Sequence, residues 1–130
     1  MSEYKLKTGD ILLCDYEGGN IFYYYFAKLI KKITNSDFSH VAMVIKDPTF
    51  IHPSLKGYYV WQSSWTGTKD PQDDEIKFGV QLTPFYEVLQ YYKNNNSHIS
   101  LRRINCKTTT FNDEKLKQIH DIVYDKPYDI

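Results

Sequence analysis

The sequence predicts an α+β fold: a small antiparallel sheet packed by helices, in a single domain spanning residues 1–130. Three observations predict it. The elements run strand, helix, several strands with one helix inserted, then a final helix. Turn-forming clusters separate the apolar runs. No internal repeat, linker or composition break divides the 130 residues, a length suited to one modest core.

The first strand is expected in "GDILLCD", where a Gly-Asp turn leads into Ile11–Cys14. "YEGGN" reads as a loop. In "IFYYYFAKLIKKI", Phe22, Phe26, Leu29, Ile30 and Ile33 share one helical face, with Lys28, Lys31 and Lys32 largely off it. The plain expectation is a core-packed amphipathic helix; the alternative is a face lining a lipid or acyl pocket. "VAMVIK" is a strand, "DPTFIHPSLKG" a loop and "YYVWQSS" the next strand. The acidic "TKDPQDDE" is expected as a solvated loop and "GVQL" as a short strand. Thr83 is placed to cap a helix that starts at Pro84 and runs through "FYEVLQYY". "HISLRRIN" alternates as a strand. "FNDEKLKQIHDIVYD" is a helix with Asp113 and Glu114 in its first turn, Leu116, Ile119 and Val123 on its apolar face, and Pro127 as its stop. The closing "KPYDI" looks like the start of a new extended element, so the C-terminal part of the fold is expected to be missing.

Lysine plus arginine equal aspartate plus glutamate at 16 each. This balance gives no reason to expect nucleic-acid binding or broad electrostatic docking on a membrane. Cys14 and Cys106 are too few for a disulfide framework, and the N-terminus lacks an apolar signal core. No apolar run approaches the ~20 residues of a membrane span. A cytoplasmic location is the default expectation. The histidines at 40, 52, 98 and 120 form no zinc-type spacing, and "EGGN" lacks the spacing of a phosphate loop, so no metal or other cofactor is expected.

His40 is the residue of interest, standing where "SDFS" meets the strand "VAMVI". If 41–46 and 58–63 pair antiparallel, the connecting loop makes opposed residue numbers sum to roughly 102–104. His40 then lies opposite or diagonal to Gln62 on the same face, within side-chain reach. A histidine that serves as base for a thiol needs its second ring nitrogen held, and in papain-like proteases an amide side chain does this. The competing reading is a polar strand-edge pair that meets water. Neither cysteine has the setting of a nucleophile. Cys14 ends an apolar strand with Asp15 and Glu17 close behind, which raises a thiol pKa, and Cys106 precedes no helix. Ser39, Ser63 and Ser64 show no nucleophile elbow.

"TGDILL", "FSHVAMVI", "YVWQSS" and "KPYDI" together resemble the circularly permuted branch of the NlpC-like papain-fold proteins. That branch includes bacterial YiiX-type hydrolases, lecithin:retinol acyltransferase relatives, and poxvirus and giant-virus members. The resemblance covers essentially the whole chain. It implies that His40 is the base and that Gln62 matches the third polar residue, Glu in many members. It also implies a nucleophilic cysteine that opens a helix beyond the Tyr-Asp motif matched by Tyr128 and Asp129, which this sequence does not reach. The implied activity is that of a thiol hydrolase or acyltransferase on amide or ester bonds, present as a fragment lacking its nucleophile. The expected partner is a peptide or a lipid or acyl substrate, with peripheral membrane contact open. Tyr23, Tyr24, Tyr25, Trp61 and Trp65 are candidate groove residues or plain core and surface residues. The rival class is a non-catalytic lipid- or peptide-binding module of the same fold.

Overall fold

The computed structural model describes residues 5–16, 21–107 and 109–128. The expected loop at 16–20 falls almost wholly outside them, as do Asp129 and the side chain of Tyr23. The elements are β1 (Ile11–Asp15), α1 (Ile21–Thr34), β2 (His40–Lys46), β3 (Tyr58–Asp70), β4 (Glu75–Pro84), α2 (Phe85–Asn94), β5 (His98–Arg102) and α3 (Asp113–Val123). The five strands form one antiparallel sheet in the order β4-β3-β2-β1-β5. The α+β class and the antiparallel sheet therefore match the sequence reading.

One face of the sheet carries the core. Leu12 and Cys14 from β1, Ala42 and Val44 from β2, and Val60 from β3 cluster with Phe85 and Val88 of α2. Ile99 and Leu101 of β5 pack at its margin. Their alternation with residues of the opposite face is the period-2 pattern of a half-covered sheet. The other face buries Ile45 and Leu82 and sets Trp61 against His120 of α3, ring centroids 6.2 Å apart.

Several elements depart from expectation. The acidic stretch is no solvated loop: β3 and β4 continue as a long hairpin whose turn follows Asp70, and Asp70 is 0% exposed. Its carboxylate accepts from Lys77 Nζ at 2.9 Å and from the Gln72 amide at 2.7 Å. Lys77 also reaches Asp73 at 2.5 Å and lies over the Tyr124 ring. Burial opposes the charge on Lys77, but the hydrogen bonds and charges of Asp73 and Asp70 prevail and raise its pKa. The loop reading failed because the neutralising lysine sits across the hairpin, outside the acidic run.

α3 buries Leu116 and His120 rather than a Leu116–Ile119–Val123 stripe; Ile119 is exposed. The imidazole of His120 can sit inside because it meets Gln72 Oε1 at 2.7 Å. Asn112 caps α3 by accepting from the Lys115 amide. After α3 the chain returns to the edge of β4. Val80 N–H donates to the Lys126 carbonyl, and Tyr128 N–H donates to the Phe78 carbonyl. Gly79 (φ +154°) lets this backbone come close, since a Cβ there would strike Lys126 and Pro127.

Candidate active site

His40 opens β2, and the β2–β3 register pairs Met43 with Trp61 and Val44 with Val60. These sums of 104 lie at the edge of the expected range. Continued three residues beyond Met43, the register sets His40 opposite Ser64 and diagonal to Gln62. The side chains meet: His40 Nε2 and Gln62 Oε1 are 2.8 Å apart. Gln62 is buried and its Nε2 donates to Thr83 Oγ1 at 3.0 Å.

Thr83 was missed as a site residue because its position ahead of Pro84 reads as a helix cap. Instead, α2 begins after Pro84 with no side-chain cap, and the buried Thr83 hydroxyl holds the amide. The only advance signal was the shared face with Val60, which pairs with Thr83 directly. The arrangement has a chemical consequence. With its NH₂ directed at Thr83 and its carbonyl oxygen at the ring, Gln62 is matched by the His40 tautomer that carries its proton on Nε2. Nδ1 is then the acceptor, and no hydrogen bond among the described residues occupies it.

The ring borders a cavity of about 360 Å³ between the sheet face and helices α1 and α2. Apolar groups dominate its wall, including Phe26 and Ile30 of α1, Val88 and Tyr92 of α2, Trp65, and Tyr128 at the rim. Of the aromatics expected in a groove, Trp65 lines it. Trp61 sits on the opposite face, and neither Tyr24 nor Tyr25 contributes.

Burial holds the His40 pKa below the ordinary imidazole value, with the Gln62 hydrogen bond pulling weakly the other way. The ring is therefore neutral at pH 7, as a general base requires. Folding favours the unprotonated ring, so this contribution to stability is present above the ordinary histidine range. It is lost as pH falls through the lowered folded-state value. In an NMR titration His40 should titrate below 6.5. Gln62→Ala should lower the midpoint further, whereas Gln62→Glu should raise it, because a carboxylate at 2.8 Å favours the imidazolium.

Cys14 is the nearest thiol in the strand pattern. β1–β2 pairing places it directly opposite His40, a proximity the sequence did not signal. Its chemistry is nonetheless that of a core residue. It is 1% exposed, and burial pushes its thiol up to about 11, a hydrogen bond from Tyr92 only partly opposing this. Cys106 is exposed, following β5. A thiol reagent at neutral pH should label Cys106 readily and Cys14 slowly. Fast labelling of Cys14, lost in His40→Ala, would identify Cys14 as an activated nucleophile.

Among the described residues no group of three or more His, Cys, Asp or Glu side chains could hold a metal ion, and no helix is long and apolar enough to cross a membrane. No family model matches this chain, and comparisons with curated proteins and with solved structures find no match.

Proposed function

We propose that His40, Gln62 and Thr83 form the base half of a thiol hydrolase or acyltransferase of the permuted NlpC-like papain type. The observation that carries this reading is the ordered run from Thr83 to Gln62 to His40 at an apolar cavity. A solvated polar pair at a strand edge needs no buried hydroxyl behind it and no cavity in front. Here Gln62 and Thr83 are both buried, and the hydrogen bond between them orients the amide that faces the ring.

In the proposed reaction Nδ1 of His40 takes the thiol proton. The thiolate attacks an ester or amide carbonyl, forming a sulfur–carbon bond. The imidazolium returns the proton to the departing alcohol or amine, leaving a thioester for water or another acceptor. Gln62 and Thr83 position the ring and stabilise its charged form. Neither cysteine of this chain suits the attacking role, so the attacking thiol in this proposal is not one of the chain's own.

The apolar lining favours one further reading, a binding module for an acyl chain or apolar peptide. Intact-mass measurement after exposure to p-nitrophenyl butyrate tests the assignment. The chain alone should gain no butyryl group at a rate that depends on His40. A Cys14 adduct lost in His40→Ala would overturn the placement of the nucleophile outside the chain.

A further inference from the structure

Helix α1 lies with its most apolar side away from the sheet. The helix turns its small and mixed side inward: Ala27 is buried, and Tyr24, Ile30 and Lys31 are half-buried. Lys31 reaches Asp15 of β1 at 2.6 Å. The apolar stripe expected in the core points outward instead. Leu29 is 52% and Ile33 74% exposed, and Tyr25, Phe26 and Phe22 are exposed with them. At about 100° per residue, Phe22, Phe26, Leu29 and Ile33 fall within roughly 60° of the helix circumference. This is a directed apolar ridge.

We propose that α1 is an interfacial helix that docks this chain on an anionic lipid surface. Charge decides between a membrane and a second copy. The segment 21–34 contains three lysines and no acidic residue. Lys32 is exposed at one edge of the stripe, where its long side chain meets lipid phosphates when the ridge enters the headgroup boundary, and Lys28 is exposed farther round, over the Tyr24 ring at 5.3 Å. Two copies joined through this ridge would set side by side two helices whose only charged side chains are positive, with no acid on either helix to offset them. The ridge also runs into the cavity mouth. Phe26 belongs to both, and Ala27 and Ile30 line the inner wall. A chain seated this way presents the cavity to the bilayer. The zero net charge is no obstacle, because the attraction is local to one helix.

The test is co-sedimentation with vesicles of phosphatidylcholine containing phosphatidylserine, against phosphatidylcholine alone. The chain should bind the anionic vesicles more tightly, by about fivefold for each exposed lysine at low salt. Leu29→Glu with Ile33→Glu should reduce binding to both vesicles more than tenfold. Thermal melting should stay close to that of the parent, since both sites are on the surface. Lys28→Ala with Lys32→Ala should abolish the preference for anionic lipid and leave the weak binding to phosphatidylcholine. This second pair decides the matter should the glutamate pair fail to fold. The proposal is overturned if the parent chain binds neither vesicle, if stripe variants bind like the parent, or if Leu29→Glu separates a dimer that never binds vesicles. It stands apart from the role of His40: vesicle binding without His40-dependent chemistry keeps this proposal and removes the other.

Discussion

Replacing Lys77 by alanine should destabilise the protein by about 3–5 kcal/mol. The expectation rests on Asp70, which is fully buried and accepts from Lys77 at 2.9 Å. Without the ammonium, Asp70 keeps the Gln72 amide groups and the Leu82 N–H, but its charge has no counter-ion. Asp73 loses its cation too but keeps the Tyr124 hydroxyl and the Glu75 N–H. Burial raises its pKa, yet hydrogen bonds from Lys77, Tyr124 and the Glu75 amide prevail and hold it below the usual carboxylate range. That part of the stability is present above the ordinary carboxylate pKa and is lost as pH falls through the lowered value. The melting temperature of Lys77→Ala should fall by on the order of 10 °C. Removing both charges, in Lys77→Met with Asp70→Asn, should cost much less than the single change. Denaturant titration of the parent and the two variants checks this. A loss below about 1 kcal/mol in Lys77→Ala would show that the hairpin tolerates a lone buried carboxylate.

His40→Ala should lower thiol-dependent ester cleavage by about 10²–10⁴-fold, the range of a positioned general base. Thr83→Val should act more mildly and through Gln62. It removes the oxygen that accepts from the amide and so frees the amide to turn over, which would present NH₂ to the ring and exchange the acceptor nitrogen. The rate should fall, and ¹⁵N NMR should show the Nδ1-protonated tautomer gaining population. A variant that lost only stability would not change the tautomer. In the parent protein the acid limb of the rate should lie below the ordinary histidine value, because burial lowers the His40 pKa.

The site was legible where the signal was local. The loop from Asp47 to Gly57 joins β2 and β3 directly, so numbering and parity alone brought His40 beside Gln62. The pairing of Cys14 with His40 was not legible, because β1 and β2 are joined through α1 and no turn sets their register. Thr83 was misread because a threonine before a proline satisfies the cap rule. The tertiary demand of a buried amide outweighed it. Periodicity in α1 correctly marked an apolar face. It carries no information on whether that face turns inward, and here the salt bridge from Lys31 to Asp15 and the burial of Ala27 set the opposite side against the sheet. The α+β class with its antiparallel sheet survived these errors because strand alternation and turn residues act within each element.

The measurement closest to the proposed chemistry supplies the thiol from outside. Butyryl transfer from p-nitrophenyl butyrate to added 2-mercaptoethanol is followed as thioester formation, with the parent chain, His40→Ala and Cys14→Ser side by side. The expected result is acceleration by the parent chain that saturates with thiol, is retained in Cys14→Ser and is lost in His40→Ala. Equal rates in the parent chain and His40→Ala, or cleavage without added thiol that disappears in Cys14→Ser, would contradict the assignment of His40 as a base awaiting a thiol from elsewhere.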